Sequence, residues 1–171
     1  IEMAWLRHFS ASAQRSSSNK IMLSSIQTVA SSESGGQSFF EKSEIKDITS
    51  YLRLWANNDD DPAFIRAVNT PRRGVGTSTL QALGSYAGER HISLFAAAFE
   101  QGFAQRVQAR QLSPLLEFCD FIQRLQARAG SEPAAQLLAG LLGATAYEAW
   151  LYDQDETRVA QVKWGNVQEF C

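Results

Sequence analysis

The chain has 171 residues, of which 44% are hydrophobic, and its formal net charge is −2. These values predict one globular domain with its own core and exclude a generally basic protein that coats nucleic acid. Any contact with DNA or RNA must therefore come from a local patch. Two cysteines are too few for a disulfide framework or a zinc site. Without a long apolar run or a signal-like start, we expect a soluble cytoplasmic protein with no membrane partner.

Residues 1–33 carry few structural signals. A Ser-rich polar stretch follows Phe9, and the apolar residues between Ile21 and Val29 fit a strand or a helical turn equally well. We expect a short irregular segment here. Gly35 and Gly36 then form a flexible joint at which the chain changes character.

From Phe39 onward the apolar spacing predicts consecutive helices. The first runs past Ile45 to Trp55. The run Asn57-Asn58-Asp59-Asp60-Asp61, whose last three residues are acidic, ends it and caps a second helix, whose apolar face is Phe64, Ile65 and Val68. Because these acidic residues do not alternate as calcium ligands do, we prefer a cap to a metal site. Further helices are predicted over residues 80–88 and 93–99, from Ser113 and Pro114, from Pro133, around residues 147–151 and over 158–170. The predicted fold is all-α, a compact multi-helix domain.

A basic Gly-x-Gly turn separates the second and third predicted helices. It reads Thr70-Pro71-Arg72-Arg73-Gly74-Val75-Gly76-Thr77-Ser78-Thr79. The glycines allow a sharp turn that Val75 anchors in the core, and residues 77–79 offer caps for a helix beginning at Leu80. Free amide groups at that helix start, beside Arg72 and Arg73, would bind an anion such as phosphate. A tight turn between helices with two solvated arginines is the alternative.

No catalytic site can be assembled from the remaining residues. His91 stands alone in a loop, and the sequence offers no Cys–His pair, serine nucleophile motif, metal cluster or carboxylate pair. We assign no catalytic residue, metal or cofactor to the chain.

Several motifs follow one another over residues 34–171. They occupy residues 34–40, 44–47 with 51–53, 57–60 with Phe64, 69–76, 147–151 and 163–167. In this order they resemble the bacterial superfamily 1 DNA helicases of the Rep, UvrD and PcrA family, most closely the Rep branch. The resemblance implies that residues 34–171 form the helical 2B subdomain, an insertion in the second motor domain with a helix-hairpin-helix-like turn. Residues 1–33 would then be the end of that motor domain or a linker.

The resemblance also implies a function for the parent protein. Such helicases use ATP and Mg²⁺ to move 3′ to 5′ along single-stranded DNA, while 2B swivels on a hinge and contacts the duplex. The implied partners are duplex DNA and its junction with a single strand, the parent's motor domains and replisome proteins. Gly35 and Gly36 match a hinge strand. The positions that match the duplex-contacting glycine motif or lie beside it are Thr70, Arg72, Arg73, Gly74, Val75, Gly76, Thr77 and Ser78.

The sequence departs from a complete helicase in two respects. It has no Gly-x-x-x-x-Gly-Lys-Ser/Thr phosphate loop with an acidic magnesium-binding partner, so we expect a fragment that does not hydrolyse ATP alone. Residues 1–33 lack the Tyr-Arg-x-Asn pattern of the motor domain, and we assign them no function. The alternative to DNA binding is a regulatory module that contacts only proteins.

Overall fold

The fold is seen in a computed structural model that describes residues 36–128 and 131–171. Over these residues the chain forms α-helices and no β-strand, which confirms the predicted all-α fold. The predicted irregular N-terminal segment lies outside the described residues. The helices are α1 (Gly36–Phe40), α2 (Ser43–Ala56), α3 (Asp61–Asn69), α4 (Thr77–Arg90), α5 (Leu94–Ala98), α6 (Gln101–Ala104), α7 (Ala109–Arg128), α8 (Ala134–Thr145), α9 (Tyr147–Gln154) and α10 (Thr157–Phe170).

The chain falls into two compact units. Among the described residues, the first unit contains residues 36–49 together with residues 128 and 131–171, and the second is Ser50–Ala127. One boundary lies inside α2 and the other at the last residue of α7. The sequence predicted one domain and carries no composition change at either boundary, because both fall within continuous helical patterns.

The core of the second unit is built on aromatic side chains. Phe64 of α3 is fully buried and meets Phe118 of α7 edge to face, with 5.5 Å between ring centroids. Its ring also lies 6.3 Å from that of Phe95 in α5. Helix α5 packs against α3, α4 and α6. Edge-to-face contacts of this kind add to the stabilisation that apolar burial provides.

The acidic residues before α3 act as a cap, as the sequence predicted. The side chain of Asp60 accepts a hydrogen bond from the Ala63 N–H at 3.0 Å and pairs with Arg53 at 2.7 Å. Phe64 and Val68 are buried, but Ile65 is 39% exposed, so its predicted place on the apolar face is wrong. Ala63 and Ala67 complete that face because they lie one helical turn apart alongside Phe64 and Val68.

Helix α7 begins earlier than the sequence predicted. It starts at Ala109, so Pro114 lies inside it instead of at its first turn. The Pro114 ring has no N–H to bond to the Arg110 carbonyl, but the preceding turn is held by Gln108. The Leu112 N–H bonds to the Gln108 carbonyl at 3.1 Å, and the Gln108 N–H bonds to the Gln111 side chain at 3.1 Å.

In the first unit, α9 packs against both α8 and α10. Tyr147 donates a hydrogen bond from its hydroxyl to Asp47 at 2.8 Å, and both residues are buried. In α10, Val167 and Phe170 are buried, whereas Val159 is 45% and Val162 is 65% exposed. Of these four apolar residues of α10, only Val167 and Phe170 therefore pack in the core. None of the helices in the described ranges has the length and apolar character needed to cross a membrane.

Candidate nucleic-acid interface

The basic turn joins α3 to α4 within the second unit. Helix α3 ends at Asn69, the Thr70–Pro71 peptide bond is cis, and Gly74 has a φ of +78°. A Cβ atom added to Gly74 would lie 4.0 Å from Pro114 Cγ, which is an ordinary contact. Backbone conformation, and not lack of space, therefore requires glycine at this position.

Helix α4 begins three residues before the predicted start at Leu80. Its first residue is Thr77 and its N-cap is Gly76, which contributes no side-chain acceptor, so the predicted cap within residues 77–79 is wrong. The Leu80 N–H bonds to the Gly76 carbonyl at 3.2 Å. Glycine adopts the extended N-cap conformation readily, so the three hydroxyl residues form the first turn instead. The N–H groups of that turn have no acceptor within the helix, and they lie at the positive end of its dipole.

Val75 holds the turn against the protein interior. It is only 9% exposed, and Pro71 is buried as well. The prediction that Val75 anchors the turn is confirmed. Gly74, Gly76, Thr77 and Ser78 are exposed.

Arg73 is held in an aromatic cluster formed by Tyr51, Phe118 and Phe121. Its guanidinium carbon lies 5.6 Å from the Tyr51 ring centroid, 5.4 Å from that of Phe118 and 5.8 Å from that of Phe121. Its Nη2 donates to the Tyr51 hydroxyl, which donates in turn to the Thr70 carbonyl at 2.5 Å. Arg73 Nε is buried and has no hydrogen-bond partner among the described residues. Arg73 is therefore not a solvated arginine, because weakly hydrated guanidinium groups stack favourably on aromatic rings.

Arg72 lies in a different environment from its neighbour. It is exposed, and no carboxylate in the described part of the chain pairs with it. The structure thus brings the exposed Arg72 and the start of α4 to the two ends of one short turn. Sequence reasoning missed the support for Arg73. The spacing of Tyr51 and Phe118 indicates core positions only, and their contact with an arginine up to 45 residues away had no local signature.

One of the two predicted hinge glycines lies within the described residues. Gly35 lies outside the described residues, and Gly36 is the first residue of α1. The hinge assignment stays a prediction.

His91 and Cys119 occupy structural positions in the fold. His91 adopts the left-handed conformation (φ 55°) that ends α4. Burial raises the pKa of the Cys119 thiol to about 12, which keeps this sulfur protonated and unreactive at neutral pH. Within residues 36–128 and 131–171, no three His, Cys, Asp or Glu side chains come together as metal ligands.

The chain is similar to known DNA helicases. Residues 10–110 match the family described as the UvrD-like helicase C-terminal domain. The chain belongs to this family. The predicted resemblance to superfamily 1 helicases is confirmed at that level.

Individual relatives are helicases of the same group. The chain is 42% identical to the ATP-dependent DNA helicase Rep of Salmonella typhimurium strain LT2 over 137 residues, which cover 80% of this chain and 20% of that protein. It is 40% identical to the protein of the same name from Escherichia coli K12, with the same coverage. It is 36% identical to the ATP-dependent DNA helicase PcrA of Bacillus subtilis strain 168, over 80% of this chain and 18% of that protein. The chain spans about a fifth of the length of these relatives.

Proposed function

We propose that the chain is part of an ATP-dependent 3′ to 5′ DNA helicase of the Rep type, and that its basic turn binds the phosphates of duplex DNA. The observation that carries this proposal is the exposed Arg72, which has no carboxylate partner among the described residues, in the same short turn that leads into α4. Membership of the UvrD-like helicase family and similarity to proteins named as DNA helicases support DNA as the ligand.

Each predicted site residue has a proposed role in this turn. Arg72 and the N–H groups of Thr77 and Ser78 contact phosphate oxygens, because a cation and a helix N-terminus both favour an anion. Gly74 and Gly76 allow the backbone to approach the ligand closely. The residues that hold the turn in place are Thr70, Arg73 and Val75.

Contacts of this kind do not read base sequence. Phosphate contacts position a protein on DNA, and the affinity they give falls as salt rises. With few such contacts, we expect non-specific duplex binding with a Kd of about 10⁻⁴ to 10⁻⁶ M or weaker at physiological salt.

The wider proposal concerns the place of the chain in its parent. We propose that residues 34–171 are the 2B subdomain, which swivels near Gly35 and Gly36 and meets the duplex at its junction with a single strand. Its partners would be the parent's own motor domains and replisome proteins, and ATP with Mg²⁺ would bind in those motor domains. The isolated chain should not turn over ATP, since it lacks a phosphate loop.

The turn is tested by titrating labelled duplex DNA with the 171-residue chain and its Arg72→Ala variant. We expect weaker binding, and the slope of log affinity against log salt should fall by about one. Arg124→Ala is a matched control, because Arg124 is exposed on α7 and pairs with Asp120 at 3.0 Å. Equal affinities and slopes for the two variants would contradict the proposal.

An alternative function is a protein-interaction module without DNA contact. The exposure of Val159 and Val162, three residues apart on α10, favours it because both apolar side chains lie on one helical face. Failure of the wild-type chain to bind duplex even at low salt would select this alternative.

A further inference from the structure

A second arginine on the surface of the second unit also lacks a carboxylate partner. Residues 50–127, all of which are described, contain five exposed arginines and no lysine. Three of the five pair with carboxylates: Arg90 with Glu100 at 3.2 Å, Arg106 with Glu89 at 2.8 Å, and Arg124 with Asp120 at 3.0 Å. The two that remain are Arg72 and Arg110.

Arg110 lies on the helix that supports the basic turn. A Cβ atom on Gly74 would be 4.0 Å from Pro114 Cγ, and the Phe118 ring lies 5.4 Å from the Arg73 guanidinium carbon. Residues 110, 114 and 118 are spaced by four, so they share one face of α7. Arg110 therefore continues the face that contacts the turn, about 6 Å closer to the start of the helix than Pro114.

This position suits a ligand that carries several negative charges in a row. Arg110 is exposed, and because helical side chains lean toward the N-terminus, we expect its guanidinium to extend away from Pro114 into solvent. Phosphates follow one another every 3.4 Å or so of helix rise along a DNA strand. A strand whose phosphate contacts Arg72 and α4 can thus place another phosphate within reach of α7.

We propose that Arg110 is a second phosphate-contacting arginine of the same DNA site, supplied by a different helix. This inference rests on the proposed function of the basic turn. It predicts that Arg72 and Arg110 each bind a separate phosphate, so their contributions to the salt dependence should add.

The test measures duplex affinity of the 171-residue chain over a range of about 50 to 200 mM salt, where each phosphate contact changes affinity about threefold. We expect Arg110→Ala to lower the salt slope by about 0.9 and the Arg72→Ala, Arg110→Ala double variant to lower it by about twice that amount. Arg110→Lys should keep most of the slope because it keeps the charge. Arg124→Ala on the same helix removes one exposed charge and should leave the slope unchanged, while thermal unfolding checks that every variant is folded.

The outcomes separate the two proposals. If Arg110→Ala behaves like Arg124→Ala while Arg72→Ala lowers the slope, the inference about Arg110 is wrong and the proposed function stands. If Arg72→Ala and Arg110→Ala both behave like Arg124→Ala, both proposals are wrong. Equal losses from Arg110→Ala and Arg124→Ala would also overturn the inference, because they would reflect net charge alone.

Discussion

Two adjacent arginines in the turn have different physical surroundings. Arg72 is exposed, whereas Arg73 is half-buried against three aromatic rings and donates to the Tyr51 hydroxyl. Because Tyr51 also donates to the Thr70 carbonyl, its hydroxyl joins both ends of the turn to α2. We infer that Arg73 stabilises the turn and that Arg72 meets the ligand.

This difference predicts opposite effects for matched substitutions. Arg73→Met should lower the free energy of unfolding by about 1–2 kcal/mol, since it removes a stacked cation and a hydrogen bond, and should leave the salt slope of DNA binding unchanged. Arg72→Met should lower the slope and leave stability unchanged. Urea unfolding and duplex titration measure the two quantities. A slope lowered equally by both substitutions would show that Arg73 contacts phosphate.

Gly74 and Gly76 allow a second matched comparison. Gly74→Ala should cost about 1–2 kcal/mol of unfolding free energy, because an L-residue is strained at its φ of +78°. Gly76 has a φ of −78°, and a Cβ there would lie 3.9 Å from Ser78 Oγ, so Gly76→Ala should cost less. Urea unfolding of both variants checks this, and a larger loss for Gly76→Ala would contradict the turn geometry.

At the scale of elements, a polar cluster joins α4 to the segment around α6. Tyr86 donates from its hydroxyl to Glu100 at 2.5 Å, and Arg90 pairs with the same carboxylate at 3.2 Å. The Arg106 guanidinium lies 4.7 Å from the Tyr86 ring centroid. A Cβ atom on Gly102 would overlap the Tyr86 hydroxyl, so glycine is required there by the close approach of two elements.

This cluster predicts a pH dependence of stability. The hydrogen bond from Tyr86, and then the charge of Arg90, hold the pKa of Glu100 below its ordinary value of 4.5. A carboxyl with a lowered pKa in the folded state stabilises the protein at neutral pH, and this contribution is lost as pH falls through the folded-state pKa. The stability gap between wild type and Glu100→Gln should therefore narrow from about pH 7 to about pH 3. Urea unfolding at both pH values measures the gap, and a constant gap would contradict the role of Glu100.

The helix boundaries show where signals in the local sequence are enough to predict the start of a helix. Asp60 and Ser93 act as N-caps because their side chains accept hydrogen bonds from N–H groups three residues later. The starts of α4 and α7 were predicted late, since Gly76 caps without a side chain and Pro114 is tolerated inside a helix. Both exceptions depend on backbone hydrogen bonds that the residue types do not specify.

At the scale of the whole molecule, the chain belongs to the UvrD-like helicase C-terminal domain family and spans about a fifth of the length of the relatives it matches. Its two compact units each have a buried core, with Tyr147 and Asp47 bonded in one and Phe64 packed on Phe118 in the other. The basic turn lies wholly in the second unit. Its proposed DNA contact therefore depends on the packing of residues 50–127.

Helical periodicity and Gly/Pro signals act between residues close in the chain, so the amino-acid sequence was enough to predict the helical fold of the described residues and the location of the turn. Which arginine is exposed depends instead on contacts between residues far apart in the chain. Tyr51 precedes Arg73 by 22 residues, and Phe118 and Phe121 follow it on another helix. An arginine's hydration and the accessibility of its charge depend on such distant neighbours. The aromatic cluster around Arg73 therefore forms, and the exposure of Arg72 and Arg110 is set, only when the helices pack.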